Sequence, residues 1–207
     1  VGSVLVRRLQ REGYSVLLPT RHLAAARDFR LLPSVHLVQA DVNDQTTLND
    51  LCSQVKPGGT VINLVGVLHD RPAKPYGKVF ERAHVLLPTH CIAAMKANGI
   101  KRYLHMSALG ADSNGPSMYQ RSKGDGEAAV RASGLDWTIF RPSVIFGQDD
   151  QFINLFANLA KVFPVIPLAN SQALFQPVSV NDVAAAFVAA ITMKQTIHQT
   201  YSLVGPE

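Results

Sequence analysis

Apolar side chains fall at helical spacing near the start of the chain. Val4, Leu5 and Leu9 are separated by Arg7, Arg8, Gln10, Arg11 and Glu12, which predicts an amphipathic helix stopped by Gly13. Ser15–Leu18 follows as a short apolar strand closed by Pro19. The alternation then repeats. Strand-like runs at Val35–Gln39, Thr60–Val65, Arg102–Met106 and Trp137–Arg141 are separated by helical patterns at Thr46–Val55, Val79–Asn98 and Met118–Ala132. Beyond Arg141 the pattern loosens. It predicts a helix at Phe152–Val162, an irregular Phe163–Pro167 segment, a strand at Phe175–Val180, an Ala-rich helix at Asp182–Met193 and a last strand at Thr200–Val204. Strands alternating with helices of this length require right-handed crossovers, so the chain predicts an α/β fold with a doubly wound parallel sheet covered on both faces. Residues 1–207 are expected to form one domain, with 1–145 as a nucleotide-binding core and 146–207 as the substrate side.

The order of elements carries a second expectation. A doubly wound domain that binds a dinucleotide opens with a strand, and a Gly-rich turn then feeds a helix whose N-terminus receives the pyrophosphate. Here the helix comes first, and Gly2 stands where the last glycine of such a turn would lie. In the strand order 3-2-1-4-5-6 the strand ahead of that helix is central. The sequence therefore predicts a sheet interrupted between Ser15–Leu18 and Thr60–Val65, with the missing strand upstream of Val1. Such a gap leaves unpaired backbone groups on two inner edges, so the chain by itself is expected to fold poorly or to bind cofactor weakly.

Composition narrows the partners. The chain is 47% hydrophobic and 17% charged over 207 residues, enough for one sizeable core. Its apolar runs are shorter than the roughly 20 residues a bilayer helix needs, so no integral membrane segment is expected. The net charge is +5, but the basic residues are spread along the chain, which argues against a nucleic-acid surface. Cys52 and Cys91 lie in helical patterns without C-x-x-C spacing and read as buried thiols. The seven histidines lack metal-ligand spacing, and no G-x-S-x-G elbow is present.

Candidate chemistry clusters at strand ends. After the second predicted strand of the fold stands Arg21, where an acidic residue would bind the ribose 2′-hydroxyl of NAD; an arginine suits the 2′-phosphate of NADP, or is a plain surface residue. Asp41 and Val42 follow the next strand. The carboxylate could bond an adenine amino group while the valine packs on the ring, or Asp41 could cap the next helix, for which Asn43 and Asp44 are nearer. Val65 and Gly66 end the fourth strand, and the glycine allows close approach of a ligand or simply turns the chain. Met106 and Ser107 end the fifth. Tyr119 and Lys123 lie at i and i+4 on the following helix, where an ammonium beside a phenol would lower its pKa for proton transfer and Ser107 would orient a substrate oxygen. Ser117 is a candidate N-cap, and Arg141, Pro142, Ser143 and Val144 after the sixth strand are placed to pass over a nicotinamide.

Four segments carry a resemblance. Leu104–Ala111, Tyr119–Glu127, Trp137–Gly147 and Gln176–Ala184 together resemble the atypical short-chain dehydrogenases/reductases of the NAD-dependent epimerase/dehydratase superfamily. The chain is most similar to the group around the NAD(P)H-binding accessory subunit of respiratory complex I, in its bacterial form. The resemblance implies a Rossmann domain holding NADP(H) in preference to NAD(H). It implies Gly2, Arg21, Asp41, Val42, Val65, Gly66, Met106, Lys123 and Arg141–Val144 as cofactor contacts, with Tyr119, Lys123 and Ser107 as a catalytic set. Two functions follow from it. One is an oxidoreductase or epimerase-like enzyme acting on a small molecule; the other is a non-catalytic, NADPH-stabilised accessory protein of complex I or ubiquinone metabolism. A bacterial cytoplasmic location, peripheral at the inner membrane, goes with the second.

Overall fold

The computed structural model describes residues 1–147 and 176–206. The predicted helix Phe152–Val162, the Phe163–Pro167 segment and Phe175 lie outside the described residues. Helix α1 (Gly2–Arg11) buries Leu5, Val6 and Leu9 and ends as the sequence predicts. Gly13 takes φ +84°, its N–H bonds the Gln10 carbonyl and Tyr14 N–H bonds that of Leu9, a closure that a side chain at position 13 would strain. Strand β1 (Val16–Thr20) runs through Pro19 and pairs in parallel with β2 (Val35–Gln39). Val16 N–H and Thr20 C=O both bond toward β2, so by alternation Pro19 faces the other side and its missing N–H removes no bond from this ladder. A 3₁₀ turn at Arg27–Leu31 links the two strands.

Helix α2 (Gln45–Ser53) begins at Asp44, whose side chain accepts the Thr47 N–H, the nearest of the three capping choices read from the sequence. Strand β3 (Thr60–Asn63) is followed by a long loop and then by α3 (Lys78–Phe80), a π turn (Glu81–Leu86) and α4 (Leu87–Ala97). The remaining elements are β4 (Arg102–Met106), α5 (Met118–Arg131), β5 (Asp136–Pro142), the short pair β6 (Ile145–Phe146) and β7 (Val178–Ser179), α6 (Val180–Thr192) and β8 (Gln199–Leu203). Ser117 caps α5 in a reciprocal box with Gln120.

Parallel pairing gives two main ladders, β1-β2 and β3-β4-β5-β8, plus β6-β7. Among the described residues no ladder joins β1 to β3, so the sheet is interrupted at the place the sequence predicts. Period-2 alternation sends neighbouring side chains to opposite faces. Tyr103, Trp137 and Ile139 pack with Leu48, Leu87, Ile92 and Met95 on one side; Leu104 and Phe140 pack with Leu5, Leu9, Val183 and Phe187 on the other. The result is a three-layer α/β/α fold of Rossmann type. Within the 146–207 part, α6 lies against α1 and β8 extends the main sheet, because the apolar face of α6 has the same core to fill.

Candidate functional site

The C-terminal ends of β3 and β4 and the first turns of α5 meet in one corner. Lys123 is 3% exposed, and its ammonium donates to the Met106 carbonyl at 3.2 Å. Burial lowers its pKa to about 8, with Glu127 one turn on opposing the shift. Gly66 lies over this ammonium on an exposed stretch of backbone. A Cβ there would come within 3.2 Å of Lys123 Nζ and 3.7 Å of His84 Nε2. Ser107, next after β4, gives its N–H to the Phe140 carbonyl, while its 3%-exposed hydroxyl has no hydrogen-bond partner among the described residues. His105 Nε2, two residues earlier on the strand, is in the same situation, and burial together with Lys123 lowers that imidazole to about 3.

The structure thus brings Gly66, Met106, Ser107 and Lys123 together. Tyr119 joins them one turn earlier on α5, but in a different state from the one the sequence suggests. Its ring lies edge-on to His84 at 5.5 Å and to Phe80 at 6.0 Å, and burial raises its pKa. Lys123 gives its hydrogen bond to a backbone carbonyl, so the expected lowering of the phenol is not what this arrangement produces. Val65 is 42% exposed, with its N–H bonded to the Asn63 side chain.

Arg141–Val144, at the end of β5 and just beyond it, is tied into the scaffold. The Arg141 guanidinium is spent on the scaffold: Nε and Nη2 reach the two Glu127 carboxylate oxygens at 2.8 and 2.7 Å, and Nη2 also reaches the Ala111 carbonyl. Glu127 is fully buried and also pairs with Arg131, so Arg141 commits Nε and Nη2 to an interior charge. The Pro142 carbonyl accepts the Leu109 N–H, Ser143 N–H donates to Leu203, and the Val144 carbonyl accepts from Val178. These residues zip β5 to the loop after β4 and to the final strands.

At the ends of β1 and β2 the picture is open. Arg21 and Asp41 are exposed. The Asp41 carboxylate takes the Asn43 N–H and side-chain amide and faces the Arg82 guanidinium at 3.7 Å, and those hydrogen bonds, aided by Arg82 and Arg21, lower its pKa. Val42 packs against the Leu48 and Cys52 core. At Gly2 a Cβ would meet only Leu64, at 3.9 Å, so packing among the described residues leaves room for a side chain there.

Several positions went unremarked in the sequence. Asp70, in the loop after β3, accepts the Phe80 N–H at 2.7 Å and serves as a remote cap for α3; Gly77 leaves the space its carboxylate occupies. Tyr76 bonds Asp125, which with burial drives its pKa to about 12, and Arg121 ties the same loop through the Pro75 carbonyl. His84 is 1% exposed and hydrogen bonded on both ring nitrogens. A signal for it exists: Pro88, four residues on, has no N–H to return to its carbonyl.

A family model described as NAD(P)H-binding matches residues 1–194. The chain belongs to this NAD(P)H-binding family. Subunit 9 of the NADH dehydrogenase [ubiquinone] 1 alpha subcomplex, mitochondrial, from Mus musculus is 32% identical over all of this chain and 54% of its own length; the Dictyostelium discoideum protein of the same name is 30% identical, over all of the chain and 56% of its length. A ceramide reductase from Caulobacter vibrioides is 29% identical over 91% of the chain and 57% of its length. The chain therefore spans about half the length of the curated relatives it matches. In fold it is similar to a UDP-glucuronic acid 4-epimerase from Bacillus cereus, with a TM-score of 0.81 and 18% identity over 100% of this chain and 74% of that one. As the family requires, the domain binds a nicotinamide cofactor. No helix among the described residues is long and apolar enough to cross a membrane.

Proposed function

We propose that this chain holds NADP(H) with the Lys123 corner at the nicotinamide ribose and Arg21 at the adenosine 2′-phosphate, and that the bound cofactor serves to fasten the fold rather than to turn over. One observation carries the reading. Among the described residues, a buried ammonium with a single carbonyl partner lies under an exposed glycine and beside a buried serine hydroxyl without a partner, a set of donors that fits ribose hydroxyls. Val65 and Met106 frame that corner. At the far end Arg21 supplies charge-assisted bonds to a phosphate, and Asp41 accepts from the adenine amino group. Gly2 stands at the start of α1, whose first N–H groups suit the pyrophosphate.

The raised pKa of Tyr119 favours a holding role over proton transfer. The matched complex I subunits are named as components of an assembly, and this chain's partner in the reading is a complex of that kind or a protein of quinone metabolism. The nicotinamide, when bound, can supply a hydride, and the Ser107 hydroxyl, without a partner among the described residues, supports a second reading as an NADP(H)-dependent oxidoreductase on a small carbonyl or quinone substrate. In that reading residues 146–207 contribute the substrate side. The test is NADPH oxidation by the whole protein with quinones, aldehydes and ketones, repeated with Tyr119→Phe. Tight NADPH binding with a raised melting temperature and no oxidation by either protein supports the holding role. Turnover abolished in Tyr119→Phe overturns it in favour of the enzyme.

A further inference from the structure

His84 lies where three elements meet. Pro88 offers no N–H to the His84 carbonyl four residues earlier, and the helix widens into the π turn Glu81–Leu86 at this point. That carbonyl is pressed against Gly126 of α5, where any Cβ would collide with it, so the π turn and α5 approach at backbone distance. The imidazole is turned toward the cofactor corner. Nε2 accepts the Val67 N–H at 3.1 Å, Nδ1 is 2.8 Å from Ser122 Oγ, and that hydroxyl donates to the Tyr119 carbonyl at 3.0 Å. Because Val67 occupies the Nε2 lone pair and Ser122 has already given its proton, one assignment satisfies every bond: a neutral ring with its hydrogen on Nδ1. Phe80 stacks on this ring at 5.2 Å and Tyr119 meets it edge-on at 5.5 Å, which fixes its plane.

We propose that His84 is a positioning residue that latches the Gly66–Val67 loop onto the Tyr119–Lys123 turn of α5, so that glycine backbone and ammonium are held face to face for the nicotinamide end of the cofactor. The inference rests on the reading above that Gly66 and Lys123 hold that cofactor. Neutrality is part of the device, since a proton on Nε2 would expel Val67 and add a second cation beside Lys123. Burial, and then the Lys123 charge, lower His84 to about 3, outweighing the Asp70 carboxylate that opposes them. The other ionisable groups around the pair are Glu127 and Tyr119 on α5 and His105 on β4.

The two bonds can be separated by substitution. A glutamine places an amide oxygen near the position of Nε2 and can keep the Val67 bond; an asparagine places its amide near Nδ1 and can keep only the Ser122 bond; phenylalanine keeps the ring and neither bond. NADPH dissociation constants of the whole protein are measured for His84→Phe, His84→Asn and His84→Gln, with Lys123→Met as a control for the site and the melting temperature of each variant without cofactor. The latch predicts about tenfold weaker binding for His84→Phe, as expected for a lost buried hydrogen bond to the loop, and recovery to within about threefold in His84→Gln but not in His84→Asn. If His84→Phe does not fold, the order of His84→Gln and His84→Asn decides. Wild-type affinity in His84→Phe, or equal losses in glutamine and asparagine, overturns the latch while a weakened Lys123→Met leaves the site reading standing. Unchanged affinity in Lys123→Met removes the site and the latch together.

Discussion

The two ends of the proposed cofactor site are built differently. Around Lys123 the ionisable core is buried and cross-tied: the ammonium to Met106, the imidazole of His84 to Val67 and Ser122, and Glu127 to Arg141 and Arg131. Around Arg21 the groups are exposed, and Asp41 is held only by its own turn and a 3.7 Å approach of Arg82. The interior end is shaped before a ligand arrives and has little entropy left to lose, whereas the outer end must be ordered by the phosphate it binds. Substitutions at the first end should change stability and affinity together; those at the second should change selectivity alone.

That contrast can be broken in several ways. The largest effect is expected from Glu127→Ala, which leaves the Arg141 guanidinium partly buried without its carboxylate; a loss of about 3 kcal/mol in chemical denaturation is predicted. An unchanged midpoint would show that the triad is not what rigidifies the inner end. Next comes Lys123→Met, where NADPH and NADH affinity should fall alike by about thirtyfold, the worth of one charge-assisted set of ribose bonds. Arg21→Glu should weaken NADPH about tenfold and NADH hardly at all, read from paired titrations. Equal losses for both cofactors would remove the 2′-phosphate assignment. The smallest effect is Asp44→Ala, a cap remote from both ends, which should lower the melting temperature slightly without altering either affinity.

The fold was legible because the chain alternates in period everywhere the sheet does. β2 and β4 have the predicted limits, and the interruption between β1 and β3 followed from a helix appearing where a strand was due. The corner was legible in part. Ser107, Lys123 and Gly66 announced themselves by residue type at strand and helix ends, but whether a side chain is spent elsewhere cannot be read from one position. Arg141 looked available until Glu127, fourteen residues earlier, proved to be buried against it. Tyr119 looked activated, but burial raises its phenol while the lysine donates to a backbone carbonyl. The Asp70 cap and the Tyr76–Asp125 bond join residues ten and forty-nine positions apart, beyond the reach of any local pattern.

The pH dependence of NADPH binding tests the Lys123 corner most directly. The folded pKa of about 8 lies below the ordinary lysine value of 10.5, so between these limits the unfolded chain binds more protons and the lysine's contribution to ligand-free stability rises with pH. Affinity should run the other way, because the ammonium that grips the ribose is being lost. A dissociation constant that climbs as pH passes about 8 in the wild type and stays flat through the same range in Lys123→Met is the expected result. A flat wild-type profile, or the same climb in both proteins, would contradict a cofactor held by that buried ammonium.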